Sequence, residues 1–426
     1  MHNIRQGGTL GDFAGLQRGT TYKSRLLGTD GPWLLGLACI ARNGGFKADN
    51  LKTYGGPSDA KILVGPGDIL VSLKDVTQAA DLLGSVVTVP ASIGQGRLTQ
   101  DTVKLVFDDD FSERNYIYWL LRTPQARDHC RRHATGTTNL GLAREDFLAL
   151  EVPPLDEGRE NLLQVLQALD DKIELNRQMN ETLEAQARTL FRDWFVDFGP
   201  VKAKMAGDTP YLAPDLWSLF PNGLKDGVPE GWASSSLDQI IEFNPREKLT
   251  KGEDAPYLAM ANLPTRGSRT DNPVRRAFAS GSKFRNGDAL LARITPCLEN
   301  GKTAFVDCLS AGIVGWGSTE FIVMRSKPPV PRQVAYLIAR DPEFRAAAIQ
   351  SMSGTSGRQR ASVDALTAYP AVIPHDEQVW AVLGSFLDPI FDKIAANAEE
   401  CHSLSQARDL LLPKLMSGEI RVRESA

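Results

Sequence analysis

The chain holds only five cysteines in 426 residues (Cys39, Cys130, Cys297, Cys308 and Cys401), with no Cys-x-x-Cys among them. So few, in odd number, exclude a disulfide framework and the usual zinc spacings, and fit reduced thiols in a cytoplasmic protein. Long apolar runs are missing too. The best lies around Trp33 to Ala41, far short of the roughly 20 residues that span a bilayer, and the opening Met1-His2-Asn3-Ile4-Arg5 lacks the apolar core of a secretory signal. No membrane association is expected. Catalytic signatures are absent as well. Gly301-Lys302-Thr303 ends like a P-loop, but Pro296 stands where its first glycine belongs. There is no Gly-x-Gly-x-x-Gly after a strand, no Asn-Pro-Pro-Tyr-like loop and no Gly-x-Ser-x-Gly elbow. His129 and His133 flank Cys130 without further ligands nearby, and arginines surround them, so a metal is not expected there. Asp170-x-Lys172 matches a fragment of a nuclease site but falls on a helix flank. The expectation is a chain with no catalytic site, metal or cofactor of its own.

What the chain does have is segregated charge. The net charge of −4 argues against a nucleic-acid binder, yet Arg114 to Arg144 holds six arginines against one aspartate, and Arg266 to Lys302 holds eight basic residues against three acidic. Asp156 to Phe198 is the reverse, with ten acidic and five basic residues. A basic face needs only a local excess. Ordinary solvated faces would show the same counts, so charge alone leaves both readings open.

The chain also repeats itself. Gly67-Asp68-Ile69-Leu70 returns as Gly287-Asp288-Ala289-Leu290, Tyr118 and Pro124 as Tyr336 and Pro342, and Gly136-Thr137-Thr138 as Gly354-Thr355-Ser356. Val152-Pro153 returns as Ile373-Pro374 and Asp171-Lys172-Ile173 as Asp392-Lys393-Ile394, with shifts of 218 to 221 residues throughout. A fixed order at a near-constant shift means two copies of one plan. Each copy ends in a helix whose apolar positions alternate four and three apart. One seam runs through Leu162, Leu166, Leu169, Ile173, Asn176, Leu183 and Leu190, the other through Leu383, Leu387, Ile390, Ile394, Asn397, Leu404, Leu411 and Leu415. In-phase heptads favour a pair of helices packed seam to seam, with an asparagine fixing register in each, over two amphipathic helices lying on their own modules. Asp388-Pro389 reads as an N-cap and first helical residue, so the second helix is expected to break and restart there. Asp68 to Val71 and Ala289 to Ala292 read as buried strands, Tyr116 to Arg132 and Val334 to Ile349 as short helices, and the Pro- and Gly-rich stretch from Gly199 to Pro229 as a surface connector.

The stretches Trp194-Phe195-Val196-Asp197-Phe198, Pro200-Val201-Lys202-Ala203-Lys204, Leu219-Phe220-Pro221 and Val228-Pro229-Glu230-Gly231-Trp232, with the ending Leu410 to Ile420, resemble the conserved regions of type I restriction–modification specificity subunits. The resemblance covers nearly the whole chain in order. The first module has no counterpart of the Pro229-x-Gly231-Trp232 opener, so a shortened start is the expectation. The resemblance implies an α+β fold in which two pseudo-repeated mixed α/β target-recognition domains are separated by two long antiparallel coiled-coil helices. The boundaries expected are 1–155, a central helix 156–199, a connector 200–227, 228–374 and a C-terminal helix 375–426. It further implies that each domain reads half of a bipartite, asymmetric site in double-stranded DNA. The helices dock two methyltransferase subunits, which carry S-adenosylmethionine, and restriction subunits that use ATP and Mg can join. A non-catalytic coiled-coil adaptor whose modules bind protein is the alternative.

Candidate DNA contacts lie in the repeated loops. Thr355, Ser356, Arg358, Gln359 and Arg360 combine flexible backbone, hydroxyls suited to phosphate, and the bidentate donors that grip guanine or adenine edges. Their counterparts are Thr137, Thr138 and Asn139, and the basic residues Lys74, Arg97, Arg293 and Lys302 complete the set. Turn chemistry and surface solubility would use the same residue types.

Overall fold

The structure, a computed structural model, describes residues 3–41, 45–48, 51–76, 78–108, 111–137, 139–270, 272–355 and 357–418. The chain divides into two compact units. One is Met1–Ile173 with His402–Ala426, the other Glu174–Cys401.

In the first unit a four-stranded antiparallel sheet runs Gly15–Arg18, Thr102–Val106, Ile69–Ser72, Val86–Thr88. A smaller sheet pairs Trp33–Leu35 parallel to Gly96–Leu98, which pairs antiparallel with Leu63–Val64. The second unit repeats this plan. Its four-stranded sheet runs Ile241–Phe243, Phe321–Ser326, Ala289–Ala292, Thr303–Phe305. Asp254–Leu258 pairs parallel to Gly315–Gly317, which pairs antiparallel with Ser282–Phe284. An added edge strand, Val274–Ala277, extends this sheet. The same order with the same single parallel pair turns the sequence repeat into a repeat of fold.

The Gly-Asp motif has a structural cause in both copies. Gly67 and Gly287 sit at φ of +86° and +92°, a conformation that glycine adopts without strain. The aspartate that follows closes the turn. Asp68 accepts from the Gly65 amide at 2.9 Å and Asp288 from the Arg285 amide at 2.8 Å. A cation on the neighbouring strand completes each turn: Lys104 lies 2.8 Å from Asp68 and Arg325 2.6 Å from Asp288. The strands that follow, Ile69–Ser72 and Ala289–Ala292, are buried at every residue. That is why they read as continuous small and apolar runs rather than alternating ones.

The stretches expected as short helices each hold a pair of them. Arg114–Leu121 gives way to Pro124–Arg132 and Val334–Arg340 to Pro342–Gln350. Thr123 caps the Ala126 amide and Asp341 caps those of Glu343 and Phe344, each with proline as the first helical residue. A cap followed by proline is a start signal. At Asp388-Pro389 the same signal misleads: the second long helix runs unbroken over Glu377–Ser417. Leu383, Leu387, Phe391 and Ile394 are buried on both sides of the proline, while Pro389 and Ser385 face outward. The helical bond lost at the Ser385 carbonyl therefore falls on the solvated side, and core packing outweighs it.

The first long helix spans Glu157–Phe195. In the first unit its opening turns pack antiparallel to the last turns of the C-terminal helix. Arg159 donates to the carbonyls of Leu415 and Met416, each at 2.9 Å, and Arg408 meets Asp170 at 2.7 Å. Leu162, Leu166, Leu412 and Leu415 join Tyr116, Trp119 and Phe147 in one core. In the second unit the remaining turns of the two helices pack in the same sense. Asn176 donates to Glu400 at 2.8 Å, Asn180 to the Ile394 carbonyl at 3.2 Å and Asn397 to Asn180 at 2.8 Å. Ala187, Phe191 and Trp194 lie in the core of that unit with Leu383, Leu387 and Phe391.

The stretch expected as a surface connector contributes to that core. It carries the helices Gly199–Ala206 and Pro214–Ser218, and Val201 and Phe220 are buried beside Trp194 and Phe195. Phe195 stacks on Trp380 with ring centroids 4.5 Å apart. Pro200 and Pro214 open those short helices rather than mark an exposed linker.

Candidate nucleic-acid interface

In each unit the second helix of the helix pair leads into a hairpin-like loop that returns to the chain just after the Gly-Asp strand. In the first unit Thr135 bridges Gly141, and Gly141 pairs with Lys74. In the second Ser353 bridges Arg360, and Arg360 bridges Ile294. Gly136 and Gly354 hold φ of +115° and +125°. A Cβ on Gly136 would lie 2.2 Å from the Asn139 carbonyl oxygen, so the repeated glycine is needed for the chain to turn.

Thr137, Asn139, Thr355 and Arg358 are exposed on these loops. Gln78 donates to the Thr137 carbonyl. Thr138 and Ser356 lie outside the described residues. Arg358 is exposed, and its guanidinium has no partner among the described residues. Gln359 is half-buried, with its backbone tied to Thr295 in both directions. Arg360 is gripped by Glu320 through Nε at 2.9 and 3.0 Å and Nη2 at 2.6 Å. That pair holds the Glu320 carboxyl below its ordinary range, with Arg293 adding to the effect.

The basic candidates divide by burial. Lys74 is half-exposed and pairs with Asp101 at 2.7 Å. Lys302 donates to the Met260 carbonyl at 2.8 Å. Arg293 is half-buried, its Nε without a hydrogen-bond partner. Arg97, expected as a DNA contact, lies inside the first unit instead. It is 2% exposed, lies over the Tyr54 ring at 4.7 Å, and donates to Thr20 Oγ1 at 2.8 Å and the Thr21 carbonyl at 2.9 Å. It braces the Thr20-Thr21 backbone from inside and presents nothing to a ligand.

The charge-rich segments divide in the same way. Arg122 is nearly buried against Asp170, and Arg127 donates to the Asp81 carbonyl, whereas Arg114, Arg131, Arg132 and Arg144 face outward. In the second unit Arg269 is spent on Asp307 and Glu399. The sequence reading singled out neither Glu320 nor the strand Val274–Ala277. That strand is exposed at all four residues, with Arg276 over the Tyr257 ring at 4.6 Å. Its exposed Arg275-Arg276 pair, with Arg275 held by Asp254 at 2.6 Å, was visible only as part of a basic count. His129 and His133 are engaged by the carbonyls of Asp146 and His129. Among the described residues no group of acids, histidines and cysteines could hold a metal ion.

The seam positions read from the heptads face inward. Leu166, Ile173, Asn176, Ile394, Asn397 and Leu415 are buried, and Leu169, Leu183, Leu190, Ile390, Leu404 and Leu411 are half-buried. Among the described residues no helix is long and apolar enough to cross a membrane.

Each unit carries one copy of the same α+β module, with an exposed polar loop at the same place in both. Comparison with known proteins says what the chain resembles. No family model matches the chain. It is 27% identical over 336 residues to the type I restriction enzyme HindI specificity subunit of Haemophilus influenzae, covering 64% of this chain and 69% of that protein. It is 26% identical over 323 residues to the MjaIX specificity subunit of Methanocaldococcus jannaschii, covering 72% and 69%. The fold matches a type I restriction–modification S subunit from M. genitalium with a TM-score of 0.51 at 15% identity, over 96% of this chain and 95% of that one. The chain is thus similar in sequence to type I specificity subunits over much of its length, and its fold matches that of a type I S subunit.

Proposed function

We propose that this chain is the DNA-reading subunit of a type I restriction–modification complex and performs no chemistry itself. Each module reads one half of a bipartite, asymmetric site in double-stranded DNA. The long helices dock two methyltransferase subunits, and restriction subunits join that assembly in the cytoplasm. S-adenosylmethionine, ATP and Mg belong to those partners. The observation that carries the reading is the repeat of fold with unlike loop tips. Arg358 and Arg360 arm the second module's loop, whereas Gly141 occupies the bridge position of Arg360 in the first. Two copies of one scaffold with different tips suit two different half-sites, because base edges are told apart by donor geometry at the tip.

The test is to co-express the chain with its methyltransferase partner and map methylated adenines. One bipartite motif with unlike halves is expected, together with binding to that duplex that weakens as salt rises. Partners that methylate the same positions without the chain, or retention on protein but not on DNA, would overturn the reading and favour the adaptor.

A further inference from the structure

Two arginines lie two residues apart on the second module's loop, and their surroundings differ. Arg360 is committed. Its guanidinium spans both oxygens of Glu320 and also donates to the Arg358 carbonyl at 3.3 Å. Glu320 is fixed in turn, its amide on Ser318 Oγ at 3.1 Å and its carbonyl accepting from the Arg293 amide at 3.0 Å. The backbone on both sides of Arg358 is held as well. Arg358 donates its amide to the Thr355 carbonyl at 3.0 Å, Thr295 donates to the Gln359 carbonyl at 3.0 Å, and Ser353 and Arg360 exchange bonds at 2.9 and 3.1 Å. The Arg358 side chain leaves this frame as its one exposed cation among the described residues, with no carboxylate against it among them.

We propose that Glu320 and Arg360 form a positioning strut, and that the strut presents Arg358 as the side chain of this loop that touches DNA. The inference rests on the functional reading above and assigns roles within it. To put its full guanidinium fork on a base edge, Arg360 would have to give up a two-oxygen, charge-assisted pair through Nε and Nη2. It would also leave the Glu320 carboxylate bare beside phosphates that repel it. Arg358 faces neither obstacle. Held on a fixed backbone, its planar fork loses little freedom on binding. The strut is absent from the first module, where Gly141 takes the place of Arg360 at the loop's bridge, so it belongs to one half-site only.

The test uses the complex assembled with its methyltransferase partner and the duplex site mapped as above. Binding is measured over a salt series, to the site itself and to duplexes changed at each base pair of the second module's half-site. Variants are Arg358→Gln, Arg360→Gln, the pair Arg358→Gln with Arg360→Gln, and the charge swap Glu320→Arg with Arg360→Glu. Arg358→Gln should weaken binding on the order of 5- to 150-fold, with preference lost at one base pair if it reads a base. If it grips a phosphate, the salt slope should instead fall by about 1. Arg360→Gln should weaken binding less, affect the same base pair and leave the salt slope unchanged. Adding it to Arg358→Gln should cost little more, since residues acting through one another are not additive. The charge swap should recover most of the loss seen with Arg360→Gln.

A lower salt slope with Arg360→Gln, or relaxation at a base pair that Arg358→Gln leaves intact, would mean that Arg360 itself touches DNA, and the strut would be wrong. Full binding and full preference with Arg358→Gln would remove Arg358 as the reader. Either result leaves the functional reading standing as long as the unaltered complex still prefers its site. Loss of any site preference by the unaltered complex would overturn that reading and this one with it.

Discussion

At the scale of the residue, burial separates arginines that look alike in sequence. Arg97 and Arg358 are both basic residues within basic or polar stretches, but one is 2% exposed beneath Tyr54 and the other points out of a braced loop. A buried guanidinium is kept only where its donors are met, and removing it strands the acceptors it served. Arg97→Ala should therefore lower unfolding free energy by roughly 2–3 kcal/mol, read from the urea midpoint of the purified chain. At a temperature where it is folded, its DNA site preference should be unchanged. Intact stability together with a changed half-site would return Arg97 to the list of DNA contacts. Nothing in the sequence around Arg97 marks it as internal. Its partners, the Thr20 hydroxyl, the Thr21 carbonyl and the Tyr54 ring, are 43 to 77 residues away along the chain. Contacts at that separation leave no local pattern to read. Glu320 was missed for the same reason, since Arg360 is forty residues on. The Gly-Asp turns were legible because their chemistry is local: a glycine at positive φ and an aspartate bonded three residues back.

At the scale of the element, periodicity succeeded where packing is one-sided, and punctuation failed where packing is strong. The heptads gave both long helices and their inward faces, because each stripe repeats over many turns. They could not reveal that Pro389 lies inside a continuous helix, since a proline's cost depends on whether the freed carbonyl can meet water. Pro389→Ala restores an amide to the helical ladder at an outward position. It should raise unfolding free energy by about 1–3 kcal/mol; a fall would show that the helix needs the proline's geometry. The asparagines at the seam make a second case. Asn176 and Asn397 are buried, and the side-chain oxygen of each lacks a partner. Such residues fix register at the expense of stability. The amide of Asn397 serves Asn180, which is half-buried and can turn to water. Asn397→Leu should accordingly stabilise the chain by about 1 kcal/mol in the same urea experiment. A loss of more than that would mean that the bond to Asn180 outweighs the orphaned oxygen. The connector shows the limit of composition, because its prolines and glycines said nothing of Val201 and Phe220, which aromatic neighbours recruit into the core.

At the scale of the whole molecule, duplication is the property that reaches furthest, because it makes each module its own fold. The first module is closed by the pairing of Gly8–Thr9 with Glu151–Val152, the second by Trp232–Ser236 with Pro370–Pro374. The chain thus enters and leaves each module at one place, and a module can be cut out there without opening its sheets. The core of the first joins Tyr116, Trp119 and Phe147 to Leu162, Leu166, Leu412 and Leu415 on the two long helices. A transplanted module must match those four leucines, which is a demand on apolar volume rather than on sequence. If base reading resides in loop tips such as 136–140 and 354–359, their specificity should travel with the module that carries them. Replacing residues 8–152 by the equivalent module of a relative, with the long helices kept, should change one half of the methylated motif and leave the other half as it was. Mapping methylated adenines in cells carrying the chimera and its partners reads both halves at once. A change confined to one half would place recognition inside the module. A change in both halves would mean that the modules read the site jointly, and the repeat of fold would then be a repeat of scaffold alone.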